Sequence, residues 1–457
     1  MKEYDLIVIG AGPGGYRAAS YAAAKGLKVV VFEAAQLGGT CLNEGCIPTK
    51  CYARHAEVVS LMKEAGTFGI SHDGFDFHLE LAKSRKDEVL QQLRSGIETL
   101  LSHPNISLVR AEARFLDAHT VEARPVCDDS VAPAIDSYTA PSIIIATGSV
   151  PKCLPIEGAS IALDSRDMLQ LDRLPESLCI IGAGVIGMEF ASIFSAFGTK
   201  VRVVEFLKEC LPALDSDIAK RLRKVMEKRG VEFNLQCAVK AIEGSDGAKT
   251  VSFVDKKGRE QRMETEQILM AVGRAPRVFD HFHNAGFDFD DRTGIKVNDD
   301  FETTVKGVYA IGDCNGRMML AHAAEAQAKS VVDHIVTAAS HSPLIVPAAI
   351  FTEPEAACAG ISEDQLKADG TPYECRKAFW RSNGKALAMN ETEGMLKLFS
   401  EPDAGRIIGC HAYGAHAADL VQEASVLMSL QTSVRQLRDM VHIHPTLSEI
   451  LLTAAEQ

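Results

Sequence analysis

The chain has 457 residues, 46% apolar and 24% charged, an ordinary globular composition but too long for one core, so at least two domains are expected. Its net charge is −13, from 48 basic and 61 acidic residues, which argues against partnership with nucleic acid or an anionic membrane. No apolar run approaches the roughly 18–20 residues needed to span a bilayer.

The N-terminal stretch MKEYDLIVIG has a single basic residue and a short apolar run ending in glycine. It reads as the start of a fold, not as an export signal, so a cytoplasmic setting is expected. Residues 4–33 give an apolar strand, then Gly10, Gly12 and Gly15, an alanine-rich helical stretch, and a second β-branched strand ending in Glu33. A lone GxGxxG is weak evidence, but one between strand and helix with an acid 23 positions on describes a dinucleotide-binding turn. One glycine permits the tight turn, the next lets backbone approach a pyrophosphate, and the third lets helix and strand pack closely. The pyrophosphate then lies at the positive end of the helix.

Next comes GGTCLNEGCIPTK, residues 38–50, with Cys41 and Cys46. The chain has 12 cysteines, scattered rather than arranged as a secreted framework, and without an export signal a disulfide is more often catalytic than structural. In a regular helix, positions i and i+5 lie roughly 8–9 Å apart at Cα, whereas a disulfide needs about 4.4–6.8 Å. If the two are bridged, residues 41–46 are not regular helix, and Gly45 is placed to permit the break. Pro48 suits a first helical turn, and the helix is expected to run from it to about Ala65. A thiolate near that start would be stabilised. A zinc site would need two further ligands; a pair of inert thiols and a working dithiol/disulfide remain, the last being the better reading.

Residues 124–141, with three prolines and CDDS, are expected to form an exposed loop. The strands SIIIATGS (142–149, with Gly148), QILMAVGR (267–274, with Gly273) and GVYAIGD (307–313) end in glycine and resemble buried parallel strands. Residues 177–205 repeat the first unit with Gly182, Gly184, Gly187 and Glu205, offset by 172 residues throughout. Two dinucleotides are therefore expected, and the acid at Glu205 favours NAD over NADP. Asp313 is as readily a turn or capping residue as a ligand, and a helix follows it in 319–336. After residue 345 short strands and two helical stretches suggest an appended α+β domain.

Several motifs in order resemble the class I pyridine nucleotide-disulfide oxidoreductases. GGTCLNEGCIPTK is similar to their redox motif, and its CLN…CIP form resembles the dihydrolipoamide dehydrogenases. HIHPTLSE (442–449), both glycine units, ATGS, AVGRAP, YAIGD and MLAHAAEAQ fall in the family's order. The resemblance covers essentially the whole chain. It implies an α/β fold with two Rossmann-like domains and a C-terminal α+β dimerisation domain: FAD-binding segments 1–150 and 276–345, an NAD-binding domain 151–275, and an interface domain 346–457.

It further implies FAD contacts at Gly10, Gly12, Gly15, Glu33, Thr40, Ala113, Gly148, Asp313 and Ala321. NAD contacts are implied at Gly182, Gly184, Gly187, Glu205, Val239 and Gly273. Lys50 and Glu189 resemble a pair near the reactive flavin nitrogen, although alone each reads as a surface charge. Cys46 would be the thiolate facing the flavin and Cys41 the thiol exchanging with substrate, because a flavin is the chemically sensible bridge between dithiol and nicotinamide. His444 would take the substrate's proton, oriented by Glu449 and acting on the opposite subunit of a homodimer.

Lipoyl-carrying acyltransferase subunits or a lipoyl carrier protein are the implied partners. Glu44 departs from the family, where valine is common, and would oppose a nearby thiolate. The tail LSEILLTAAEQ carries no cysteine pair, unlike mercuric reductases and the large thioredoxin reductases. A glutathione reductase would want NADP, and a scaffold protein keeping the fold without turnover would not need Cys41, Cys46 and His444.

Overall fold

The computed structural model describes residues 1–125, 136–245, 247–340 and 345–457. Two compact units divide the chain: Met1–Thr49, Leu81–Lys152 and Arg274–Ser342 form one, and Lys50–Glu80, Cys153–Gly273 and Pro343–Gln457 the other.

At the centre of the first unit is a five-stranded parallel sheet. Its order is Val308–Ala310, Ser142–Ile145, Leu6–Ile9, Val29–Phe32 and Ile106–Val109. Both faces are covered, which is why these strands read as unbroken apolar runs. Leu6, Val8, Val29 and Val31 face the alanines of helix Pro13–Ala24 together with Ala328, Val331 and Val332 of helix Ala321–Thr337. Their neighbours Ile7, Ile9, Val30 and Phe32 face Ala113, Phe115, Val121 and Tyr138 of a smaller four-stranded sheet. Of the expected loop 124–141, residues 126–135 lie outside the described residues; Arg124 ends the strand Thr120–Arg124, and Ser137–Thr139 is a strand paired with it.

The second unit repeats the theme with four parallel strands in the order Glu232–Leu235, Lys200–Glu205, Ser177–Ile181 and Gln267–Met270. Helix Val185–Ala196 joins the middle two. One face packs on an antiparallel meander, Ala238–Ser245, Ala248–Val254 and Glu260–Thr265, through Val251, Phe253 and Met263. The remainder is a five-stranded antiparallel sheet, ordered Ala348–Ile350, Ala356–Gly360, Ile407–Tyr413, Met395–Ser400 and Glu374–Phe379. Helices Ala417–Ser429, Val434–Arg438 and Glu449–Ala455 cover one of its faces, where Leu396, Leu398, Cys410 and Ala412 meet Leu420, Val421, Ile450 and Leu451. Among the described residues no helix is long and apolar enough to cross a membrane.

Candidate active site

Each glycine turn is built by the same contacts. Gly10 and Gly182 have φ of 102° and 103°, and a Cβ on either would stand 2.4 Å from the carbonyl of Ala146 or Ala271, one residue past the end of the neighbouring strand. A Cβ on Gly15 or Gly187 would stand 1.8 or 2.0 Å from the carbonyl of the turn's first glycine. Gly184 has nothing within 4 Å of that position, and Gly12 only the Cα of Gly39 at 3.7 Å. The second glycine thus leaves room for a ligand where a side chain would intrude. Helices Pro13–Ala24 and Val185–Ala196 start there with no side-chain cap and no acid in the first turn. Free N–H groups at a positive helix end suit a pyrophosphate, so both turns fit a dinucleotide.

The carboxylates complete each turn. Glu33 accepts from Ala11 N at 2.7 Å and Ala35 N at 2.8 Å. Glu205 accepts from Ala183 N at 2.5 Å and Leu207 N at 2.7 Å. Each oxygen keeps a lone pair, enough for a ribose hydroxyl. Cys237 N donates to the Glu205 carbonyl at 2.8 Å, so the strand holding Val239 starts beside this acid. Gly148 and Gly273, with φ of 75° and 103°, each lie two residues beyond the alanine that abuts a turn. Ala113 is buried in strand Glu112–Phe115, and Ala321 opens helix Ala321–Thr337.

Asp313 lies in the turn Gly312–Asn315. It accepts from Ser149 Oγ at 2.5 Å, and that oxygen accepts from Arg274 Nε at 2.7 Å. Burial pushes the Asp313 carboxyl up, against the Ser149 hydrogen bond and the Arg274 charge. A second Arg274 nitrogen reaches Thr40 Oγ1 at 3.4 Å. Sequence reasoning missed Arg274 and Ser149; both sit at the ends of the quoted strand motifs, AVGR and ATGS, and could have been suspected from that.

The cysteines straddle a helix break. Cys41 lies within Gly39–Asn43 and Cys46 opens Cys46–Lys63, so the helix starts two residues before Pro48. Glu44 adopts φ −137° and ψ 3° between the two helices. At Gly45 a Cβ would stand 3.1 Å from the Thr40 carbonyl. The interruption is the one that a bridge between the two positions requires. Both cysteines are half-buried.

Lys50 and Glu189 are partners, not two surface charges. Lys50 Nζ lies 2.8 and 2.9 Å from the Glu189 oxygens and 4.6 Å from the centroid of the Phe351 ring. Glu189 is buried and also accepts from Phe351 N at 2.9 Å.

His444 Nδ1 lies 2.9 Å from Glu449 Oε1. A carboxylate only accepts, so Nδ1 carries the proton and Nε2 is left to take another. Glu449 also accepts from Thr446 N at 2.9 Å; that bond first, then the histidine, holds its carboxyl below the usual range. The His444 side chain is 78% exposed, whereas that of His442, paired with Glu423 at 3.2 Å, is 6% exposed. Of the two histidines, His444 is the one open to another molecule. Among the described residues no cluster of three or more His, Cys, Asp or Glu could hold a metal.

Two dinucleotide turns, a cysteine pair at a helix break and a histidine–carboxylate pair define a flavin- and nicotinamide-dependent disulfide oxidoreductase. Residues 4–328 match the family "Pyridine nucleotide-disulphide oxidoreductase", and residues 346–455 match its dimerisation domain. The proteins named dihydrolipoyl dehydrogenase of Mycoplasma pneumoniae and Thermus scotoductus are 32% and 35% identical. The alignments cover 98% and 100% of this chain and 97% of each relative. Among solved structures, the Cu(II) complex of the HOCl-induced flavoprotein disulfide reductase RclA from Escherichia coli superposes with a TM-score of 0.88 at 27% identity, covering 100% of this chain and 99% of that one. The chain belongs to the pyridine nucleotide-disulphide oxidoreductases, in the group of the dihydrolipoyl dehydrogenases. It is an enzyme that uses FAD and NAD and forms a homodimer.

Proposed function

We propose that the enzyme oxidises dihydrolipoyl groups with NAD⁺, the Cys41–Cys46 pair accepting the electrons. A substrate thiolate attacks Cys41 Sγ, the Cys41–Cys46 bond breaks, and Cys46 leaves as thiolate at a helix start that favours it. The second substrate sulfur then closes the lipoyl disulfide and releases Cys41. His444 of the opposite subunit takes the substrate's proton, with Glu449 fixing its tautomer. The residues that would hold FAD are Gly10, Gly12, Gly15, Glu33, Thr40, Ala113, Gly148, Asp313 and Ala321, with Lys50 and Glu189 at its reactive end. Those for NAD are Gly182, Gly184, Gly187, Glu205, Val239 and Gly273. FAD, when bound, supplies the two-electron relay between dithiol and nicotinamide.

The segments 1–150 and 276–345 then serve FAD, 151–275 serves NAD, and 346–457 forms the dimer interface. The observation that carries this reading is the helix break between Cys41 and Cys46. A free 2′-hydroxyl suits Glu205, and a 2′-phosphate would face its charge. Lipoyl groups on acyltransferase subunits or on a lipoyl carrier protein are the natural substrates, and the cytoplasm the natural compartment. Burial pushes the Cys179 and Cys314 thiols each up to about 12, which leaves them inert beside the Cys41–Cys46 pair.

The test is a matrix of NADH or NADPH against lipoamide or glutathione disulfide. NADH with lipoamide should turn over; turnover confined to NADPH with glutathione disulfide would overthrow the assignment.

A further inference from the structure

The segment that follows Glu205 closes the second glycine turn. Glu205 holds the Ala183 N–H at 2.5 Å, and Leu211 N donates to the Ala183 carbonyl at 2.9 Å. A trans peptide points its C=O and its N–H in opposite directions. Fixing the Ala183 carbonyl therefore fixes the aim of the Gly184 N–H, a donor at the start of helix Val185–Ala196 and suited to a pyrophosphate. The first turn is closed in the same way, where Gly38 N donates to the Ala11 carbonyl at 2.9 Å. Both donors have left-handed backbone, with φ of 97° at Gly38 and 50° at Leu211. Glycine adopts that conformation freely; a leucine keeps it only where its surroundings impose it.

Those surroundings reach into the C-terminal sheet. Cys210, Leu211 and Leu214 are buried, and Arg223 of helix Ser216–Lys228 donates to both Glu209 oxygens, at 2.7 and 3.0 Å. Asp215, four residues after Leu211 and 1% exposed, caps that helix by accepting from Asp217 N at 3.1 Å and Ile218 N at 3.3 Å. Lys397 of strand Met395–Ser400, equally buried, places Nζ 2.8 Å from both Asp215 oxygens. His411, opposite Lys397 on the next strand, accepts from Asp215 N at 3.1 Å through Nδ1. Glu363 accepts from the same ammonium, and Asp364 accepts from Ser216 N at 2.8 Å. A buried ion pair adds little net stability over an apolar pair of similar volume. What this one supplies is a fixed place for Asp215.

We propose that Asp215 and Lys397 are positioning residues for the nicotinamide dinucleotide. Their ion pair anchors the far end of the segment 206–214, so that Leu211 keeps its left-handed backbone and the Gly184 N–H keeps its aim. A side chain of the C-terminal α+β domain thereby sets the affinity of the second turn. The first turn, closed by a glycine, depends on neither residue. The inference rests on the reading of the second turn as the NAD site.

The experiment titrates oxidised holoenzyme with NAD⁺ by calorimetry and follows hydrogen exchange of the peptide 206–215 by mass spectrometry. Asp215→Asn keeps the cap oxygen and loses the charge, while Glu363 still accepts from Lys397. Combining it with Lys397→Met removes both charges and leaves Glu363 with Lys367 and Tyr373. Both proteins should bind NAD⁺ about five- to tenfold more weakly, the order expected when one hydrogen bond to the ligand loses its aim. Exchange should quicken in 206–215 and stay at the wild-type rate in 34–43, with flavin content unchanged. In turnover the KM for NAD⁺ should rise in step while kcat changes less. Unchanged NAD⁺ affinity in both proteins, or exchange quickened equally in the two segments, would overturn this inference and leave the enzyme's function standing. NAD⁺ binding undiminished by Gly184→Val, whose side chain would fill the space left at the turn, would overturn the reading of the site and this inference with it.

Discussion

Glu205 does for its glycine turn what Glu33 does for the other, 172 residues earlier. Each carboxylate accepts from the backbone N–H one residue after the first glycine and from the N–H two residues beyond itself. The acid is therefore a structural part of the turn before any ribose arrives. One side chain fixes the loop and presents the acceptor.

Glu205→Gln should separate the two nucleotides. The amide keeps one acceptor, so one of two N–H groups loses its partner, at a cost of about 1–3 kcal/mol when buried. We expect the KM for NAD⁺ to rise about tenfold or more, kcat to change less, and flavin content to stay at wild-type level. Glu33→Gln should instead lower retained flavin. Steady-state kinetics and the absorbance spectrum of each protein read both outcomes. An unaltered KM in the Glu205 variant would mean that the acid serves the turn alone.

Lys50 and Glu189 should be energetically coupled. Lys50→Met strands a buried carboxylate that still accepts from the Phe351 N–H. Breaking a buried pair from one side costs about 3–5 kcal/mol, and the 32% exposure of the lysine side chain reduces that to about 2 kcal/mol. We expect Lys50→Met to unfold at lower urea than Glu189→Gln, and the double variant to resemble Glu189→Gln alone. Additive losses in this cycle would show that the two residues act independently.

Local chemistry made much of this readable from the sequence. Gly10, Gly182 and their acids lie within single βα units, where spacing alone dictates the turn. The break at Glu44 and Gly45 followed from the reach of a disulfide. Contacts between distant segments were closed to that approach. Nothing near Glu189 in sequence announces Phe351, and nothing near Asp215 announces Lys397, 182 residues away. Burial turned apparent surface charges into partners. The antiparallel strands Ala238–Ser245, Ala248–Val254 and Glu260–Thr265 were also unread, because alternation with polar residues such as Lys240, Ser252 and Glu264 hides a half-exposed sheet.

A buried charge cluster should dominate the enzyme's acid sensitivity. Lys397 projects from strand Met395–Ser400 on the face opposite Leu396 and Leu398. It lies 2.8 Å from both Asp215 oxygens and 2.5 Å from Glu363 Oε2. Burial alone would push Glu363 up, but hydrogen bonds from Lys397, Lys367 and Tyr373 bring it to about 2. A carboxyl depressed in the folded state stabilises above its unfolded value of 4.5 and loses that contribution as pH falls toward about 2. Beside it, burial lowers His411 to about 4 from 6.5, so stability also falls as pH drops through that window. Urea midpoints of wild type should decline in both ranges. Lys397→Met should be less stable at neutral pH and lose most of the decline below 4.5; an equally steep acid limb would place the sensitivity elsewhere.

The exposed His444 gives the last expectation its form. If this base serves the partner's cysteines, Cys46→Ser and His444→Gln proteins should each be nearly inactive yet yellow. A base removed from such a site costs about 10²–10⁴ in rate. After subunit exchange, a mixed dimer joins both lesions in one site and leaves the other intact. Random pairing should then restore about a quarter of wild-type activity. If instead each subunit uses its own histidine, every site in the mixture carries one lesion and no activity returns. Assaying dihydrolipoamide oxidation before and after exchange distinguishes the two arrangements, and the retained flavin shows that loss in the separate variants comes from the removed sulfur or imidazole.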